Sequence, residues 1–518
     1  MTESLSDSFT YRGRHILAEW NSADDLLLPI KSSARIKYTC VAVSRRFIAF
    51  GASTGGLYLF RRDSHKYLQV LANKGGSLTH ITFASNDNLL ALTSSRGITV
   101  VWELNVEKRS KPEILTQSAE HKNSTITALC WDNNCNKVFI GDETGKVTSL
   151  NVPSSKAAGF FKIPTELILN GDSRIVQLDY SDELLLVSTL TRCYLCSTAR
   201  EKFWQIGKKL RDGEYGACFI HNGKDQPSTV YCARPGSRLW QADIYGEVVS
   251  THQFKQMLAI PSIPICGNGH SPEFLYSETF PTQSVSFPRL LPIKEQYLLS
   301  WTMKAVYILD PLNERVILWT SDLQDVQQVA IYKADLYCFL ADSSVKILAL
   351  SSVEKCIAKL TTHELWLQSA QLCCYFKDVA IPARARKYLP VTMVTDIQEH
   401  LQDQEEYVDK LTELLNDLEI SNADDASSST SSRRSSISSF EGIIRMQSGI
   451  YQVSANTQSV ESDDDDLVTE TESSEINDGN PQVPERRVGT SLVSQDVEAD
   501  LYYDDVELVA HGAEEKRR

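Results

Sequence analysis

Thr125-Ile126-Thr127-Ala128-Leu129-Cys130-Trp131, Val138-Phe139-Ile140-Gly141 and Gly145-Lys146-Val147-Thr148-Ser149-Leu150 form three short apolar runs separated by turn residues, the last opened by a glycine. Runs rich in β-branched residues and bounded by Asn, Asp and Gly read as strands joined by tight turns. The same trio stands upstream at 38–43, 47–51 and 56–60, and again at 78–83, 89–93 and 97–102. A fourth apolar run follows each trio, as at Tyr67 to Leu71 and at Ile114-Leu115. Four strands per unit is the content of one β-propeller blade.

Weaker marks continue the pattern. Ile175 to Leu178, Leu184 to Val187 and Cys193 to Cys196 make a fourth unit closed by Phe203-Trp204. Tyr215 to Ile220, Val230 to Ala233 and Arg238 to Ala242 make a fifth, closed by Val248-Val249. Phe287 to Leu291, Tyr297 to Trp301 and Ala305 to Leu309 make a sixth, closed by Val316 to Trp319. Val326 to Ile331, Leu336 to Leu340 and Val345 to Leu350 make a seventh, closed by Cys356-Ile357. The middle runs centre on Phe50, Leu92, Ile140, Leu186, Cys232, Leu298 and Phe339, at steps of 42, 48, 46, 46, 66 and 41 residues. The long step holds Ile260 to Ser284, rich in Pro, Ser and Gly, and reads as a loop excursion from one face. The fold expected is therefore all-β, a seven-bladed WD40-like propeller over residues 36–360, with residues 1–35 as an N-terminal extension the blades do not need. Closing the ring lets neighbouring blades supply each other's cores and limits exposed edges. Separate β-sandwiches are the competing reading, disfavoured by sevenfold recurrence with little helix between strands. The WD marks are degenerate: Trp102-Glu103 stands where Trp-Asp is expected, and only the third unit has both His121 and a Trp131-Asp132 turn.

From residue 361 the period changes. Thr361 with Glu364 and Thr395 with Gln398 resemble capping boxes, and Leu365, Trp366, Ala370, Cys373 and Cys374 recur at helical spacing. Glu405 to Ile420 places Tyr407, Val408, Leu411, Leu414, Leu415 and Leu418 on one stripe. Residues 361–420 read as a short α-helical segment: the start of an α-solenoid, a cap on the propeller, or a terminal helix over a blade edge. Residues 421–518 form a Ser-rich, acidic tail whose composition predicts disorder. Residues 427–439 hold nine Ser and one Thr, and Arg433-Arg434 precede Ser435 and Ser436, a pattern basophilic kinases select. A phosphate there adds nearly two negative charges.

The chain has 518 residues, 42% apolar and 23% charged, with net charge −15, of which residues 421–518 carry −13. Collagenous, wholly disordered and small disulfide-stapled classes are excluded, and no overall basic footprint for nucleic acid is present. No stretch approaches the ~20 apolar residues of a membrane span. The start, with Glu3 and Asp7, lacks the apolar core of a secretory signal. Twelve cysteines at irregular spacings predict buried free thiols in a reducing, cytosolic compartment.

Candidate chemistry is sparse. Cys193 and Cys196 form a CxxC, yet positions i and i+3 of a strand point to opposite faces, and no second pair has zinc-ribbon spacing. Nucleophile-elbow, phosphate-loop and dinucleotide motifs are absent. Gly213-Glu214-Tyr215-Gly216 lacks the lysine of a phosphate cradle, and His252 and His363 stand alone. Arg234, Arg238 and Lys255 surround Pro235-Gly236, giving either a partner-contact loop or a solvated blade rim. Trp102, Trp240, Trp301 and Trp319 fall on blade strands and read as core. The expectation is no catalytic residue, no metal and no cofactor.

Several long strings carry a family resemblance: His121 to Asp132, Glu201-Lys202-Phe203-Trp204, Arg211 to Phe219, Tyr231 to Arg238, Ser250 to Phe254, Ser431 to Ser439 and Ser448-Gly449-Ile450-Tyr451. Over about residues 11–452 the chain resembles the Hermansky–Pudlak syndrome 5 protein family. That resemblance implies a WD-type propeller subunit of the biogenesis of lysosome-related organelles complex 2, with two sister subunits as partners. It further implies a non-enzymatic trafficking scaffold that directs endosomal cargo to melanosomes and related granules. The implied location is the cytosol, peripherally on early endosomal membranes through partners, with no nucleic acid and no small-molecule substrate. Longer family members carry an extended helical C-terminal region, so this chain is expected to be a short or truncated form. Ile175 to Tyr180 and the Arg-Pro-Gly element are shared with the autophagy-linked tectonin-repeat protein, which makes an autophagy or vesicle-trafficking adaptor the alternative. An enzyme on the central channel is the third reading, and it predicts convergent acids, histidines or metal ligands at the channel mouth.

Overall fold

The computed structural model describes residues 14–431, apart from 106–109, 155–164, 201, 224–225, 268–271, 276–279, 295 and 381–387. Its β-strands form seven sheets, six of them built from four consecutive antiparallel strands. Blade 1 comprises Tyr38–Val43, Phe47–Ala52, Gly56–Arg61 and Tyr67–Ala72, and blade 2 runs from Leu78–Phe83 to Glu113–Ser118. Blade 3 comprises Ile126–Trp131, Lys137–Asp142, Lys146–Asn151 and Thr165–Asn170, and blade 7 contains Val326–Tyr332, Asp335–Leu340 and Val345–Ser352. Blade 4 runs from Ile175–Ser181 to Lys202–Gln205, blade 5 from Ala217–Ile220 to Val248–Gln253, and blade 6 from Leu291–Ile293 to Arg315–Thr320. From blade 7 through blade 1 to blade 6, the first strand of one blade meets the first strand of the next, so these strands line the central channel.

The energetic unit is the interface between blades. Middle strands such as Phe47–Ala52 are buried along their whole length, because both faces of every sheet are covered. With period two, Ala49 packs toward blade 2 while Ile48 and Phe50 pack toward blade 7. In the same way Leu185 and Val187 join blade 3, and Leu186 joins blade 5. The buried apolar residues fall into seven clusters, one at each blade interface. Inner strands add polar ties. Register shifts at Tyr38/Cys40 and Ile126/Ala128 mark bulges. At these bulges Thr39 donates to Leu78 O at 2.7 Å and Thr127 to Ile175 O at 2.7 Å, each linking one blade to the next. Gln328 exchanges two hydrogen bonds with the Val41 backbone, joining blade 7 to blade 1.

The structure revises the expected closure. His15–Glu19, assigned by sequence to an extension outside the ring, pairs antiparallel with Val345–Ser352 as the fourth strand of blade 7. Cys356-Ile357, read as that closing run, lies instead in the helix Val353–Thr362. The excursion after blade 5 is not a free loop. It lies along blade 6, where Ile263 N donates to Trp319 O and Ile265 N to the Asp322 carboxylate. It then adds Cys266–Gly267 as a parallel fifth strand beside Ala18 and Glu19.

Among the described residues, helices follow at Val353–Thr362, Trp366–Tyr375, Lys377–Ala380, Val391–Glu399 and Glu405–Ser431. Neither expected capping box forms. Thr361 and Thr395 sit inside helices and donate to Ile357 O and Val391 O, while Ser352 caps the first helix by accepting from Lys355 N. Leu360, Cys373, Leu411, Leu414 and Leu418 share one core with Leu348 and Leu350 of blade 7, so the helices are packed on the propeller. The last helix extends to Ser431, past the boundary expected at residue 420.

Candidate functional site

The channel mouth holds ionisable groups, and their partners are structural. Arg174, entering blade 4, forms an ion pair with Glu214, entering blade 5. Arg289 donates to the carbonyl of Pro288 at 2.8 Å. Glu214 belongs to the glycine-flanked segment, and Gly216 there meets the Arg289–Leu290 backbone so closely that a Cβ would lie 2.5 Å from Leu290 N. Deeper in, burial pushes the Asp179 carboxyl up to about 6, against the amides of Phe219 and Tyr180 that donate to it. Burial likewise pushes the His80 imidazole down to about 4, with Arg289 adding to the effect. No group of three or more metal-ligating side chains converges among the described residues.

The marks of the third blade form a buried network. His121 is within 2.8 Å of both the Asp142 carboxylate and the Thr148 hydroxyl, and Asp142 also accepts from Thr144 and Lys146 N. Asp132 accepts from Asn136 N and Lys137 N at 2.8 Å, closing the turn beyond Trp131. His252, with Glu314, Ser250 and Gln241 around its ring, is a satisfied polar residue, and His363 stacks on Trp20. Cys193 and Cys196 sit in different inter-blade cores, and all twelve cysteines are free thiols. Trp102 and Trp301 are buried, and Trp319 stacks on Tyr307 and donates to Ile260 O.

Trp240 is half-buried against the core between blades 4 and 5 and has a second, exposed side. It forms a wall of a cavity of about 330 Å³ between the loop entering blade 5 and that blade's second turn, with Lys209, Leu210, Arg234, Pro235, Arg238 and Thr251. The Arg234 guanidinium lies 3.9 Å from the Trp240 ring centroid and donates to Leu210 O at 2.8 Å. Behind it, Arg211 is 5% exposed and gives its terminal nitrogens to Ala233 O, the Ser188 hydroxyl, Thr189 O and Arg192 O. The turn is shaped by Gly236 and Ser237, both at positive φ, and Ser237 is fixed by Gln283 O and Val285 N. Arg234, Pro235, Gly236 and Arg238 are thus brought together, and Lys255 is not among the lining residues. Arg234 is buried rather than solvated, whereas Arg238 is exposed. Lys209, which the sequence reading passed over, lies on the neighbouring loop and joins them only through the fold. Ser435 and Ser436 lie outside the described residues.

Among the described residues no helix is long and apolar enough to cross a membrane. The described residues thus form a β-propeller with a cationic rim cavity at blade 5. Residues 17–342 match the family described as HPS5 beta-propeller, and the chain belongs to that family. It is 42% identical over 462 residues to the human BLOC-2 complex member HPS5, covering 87% of this chain and 40% of that protein. It is 31% identical over 406 residues to the BLOC-2 complex member HPS5 homolog of Drosophila melanogaster, covering 76% of this chain and 48% of the homolog. The human Tectonin beta-propeller repeat-containing protein 2 is 32% identical over 323 residues, 59% of this chain and 22% of its own length. The chain spans less than half the length of these relatives.

Proposed function

We propose that this chain is a non-enzymatic scaffold subunit of the BLOC-2 complex, helping direct endosomal cargo to lysosome-related organelles such as melanosomes. The observation that carries this reading is the match of nearly the whole ring to the HPS5 propeller, together with 42% identity to a human protein named as a BLOC-2 member. The mechanism is geometric. A ring with seven packed interfaces holds its loops in fixed positions, and partners dock on those loops at little ordering cost. The Arg234–Arg238 turn of blade 5 is one such contact, and Ser435 and Ser436 are sites where phosphorylation adjusts docking. Membrane association is peripheral and runs through the partner subunits. Domain boundaries follow the same reading, adjusted to the strands: a propeller from about residue 15 to 352, a helical cap, then the Ser-rich acidic region.

Affinity purification of the tagged chain, with mass spectrometry of what co-purifies, tests the proposal. Recovery of the other BLOC-2 subunits is expected. Their absence from a preparation with an intact fold overturns it, and recovery of autophagy factors in their place selects the adaptor reading suggested by the tectonin-repeat relative.

A further inference from the structure

The cavity between the loop entering blade 5 and that blade's second turn concentrates positive charge without a counter-ion. Lys209, Arg234 and Arg238 line it, Arg211 stands behind Arg234, and no carboxylate is among the lining residues. No ion pair involves any of these four cations among the described residues. Their acceptors are neutral: Leu210 O for Arg234, Pro235 O for Arg238, and carbonyls with one serine hydroxyl for Arg211. The nearly buried Arg211 also keeps its Nε without a partner. Some arginines elsewhere in the protein are ion-paired, as at Arg45–Asp87 and Arg174–Glu214. Burial opposes the charge on Arg234, and Arg211 and Arg238 repel it, while the buried Cys193 and Cys232 thiols favour it without forming an ion pair.

We infer that this cavity receives the phosphate of a phosphorylated serine or threonine on an extended segment of a protein partner. A single carboxylate offsets one charge, whereas a phosphate monoester brings about −1.5 to −2 and three acceptor oxygens. Arginine forks match phosphate geometry, and the stacking of Arg234 on Trp240 holds its fork in place before binding. The cavity is a cleft with one exposed apolar rim residue, Leu210 at 59%, beside Pro235. That form suits one side chain and the backbone flanking it, while an anionic membrane favours a wide basic face. The inference rests on the cavity and stands whether or not the chain assembles into BLOC-2.

The test uses the purified full chain and an array of short degenerate peptides carrying either phosphoserine or serine at the centre. Phosphorylated peptides are expected to bind at least about tenfold more tightly, a difference of about 1.4 kcal/mol. The double variant Lys209→Glu with Arg238→Glu, both exposed side chains, abolishes that preference while the melting temperature holds. Equal binding of the two peptide sets overturns the inference, as does a preference that survives in the folded double variant. A third arm uses phosphatidylcholine vesicles doped with phosphatidylinositol 4-phosphate. Vesicle binding that depends on Lys209 and Arg238, without phosphopeptide preference, also overturns it in favour of a lipid headgroup.

Discussion

Two polar residues, one half-buried and one buried, show how single side chains secure the ring. Asp179 accepts the Phe219 amide at 2.8 Å and so ties blade 4 to blade 5, yet burial lifts its pKa from 3.8 to about 6. The folded state then holds a proton more tightly than the unfolded chain does. Its stabilising contribution is full below pH ~4 and declines as pH rises through about 6. A shift of this size is about 2–3 kcal/mol. Asp179→Asn keeps an acceptor for Phe219, so denaturant unfolding of this variant is expected to lose that component of the pH slope between about pH 4 and 6. An unchanged slope refutes the assignment. In blade 3, His121→Ala leaves Asp142 and Thr148 buried without their shared partner, with an expected cost of about 3 kcal/mol in the unfolding midpoint. A cost below about 0.5 kcal/mol contradicts a stabilising network. His121 was legible in the sequence because it precedes the Trp131-Asp132 turn. Its partners Asp142 and Thr148 were not, because on paper nothing separates them from other polar residues at strand ends.

Elements were legible to the extent that their pattern is local. Alternating apolar runs and turn glycines identify blade strands without reference to the rest of the chain, and the middle strands stand where that reading puts them. His15–Glu19 escaped because its partner, Val345–Ser352, is more than three hundred residues away, and a lone short run carries no repeat. Cys266–Gly267 escaped for the same reason, being two residues within a Pro- and Ser-rich stretch. The capping boxes misled because Thr361 and Thr395 bond back to carbonyls within their own helices, an alternative open to any helical threonine. The closing strand has a measurable consequence. Leu17 is 1% exposed in the blade 7 core, and Leu17→Asp places a charge there, at an expected cost of more than about 3 kcal/mol. Hydrogen exchange is then expected to rise in Val345–Ser352 before blades 2 to 4. Uniform loss of protection across the ring contradicts a local role for this strand. Gly216→Ala forces a Cβ against Leu290 N and is expected to lower the unfolding midpoint by about 2–4 kcal/mol equivalent, more than a typical surface substitution.

For the whole molecule, seven separate cores make the ring a chain of interfaces, and its stability depends on closing the last one. The closure brings together Gln328 with Val41, His15–Glu19 with Val345–Ser352, and the first helix with both. Composition indicated the near-neutral globular part and the acidic end, and the repeat indicated the ring. The cationic cavity was half legible: the Arg-Pro-Gly-Ser-Arg string drew notice, while Lys209 and the stacked Trp240 needed the fold. The central proposal is that an intact, closed propeller presents surfaces by which this chain docks on partner subunits. The direct measurement is capture of the chain by a tagged BLOC-2 subunit from the same cells, comparing the wild type with Leu17→Asp at equal amounts. Capture of the wild type and loss of about tenfold or more in the opened variant are predicted. Equal capture of both, or no capture of a folded wild-type chain, contradicts the account.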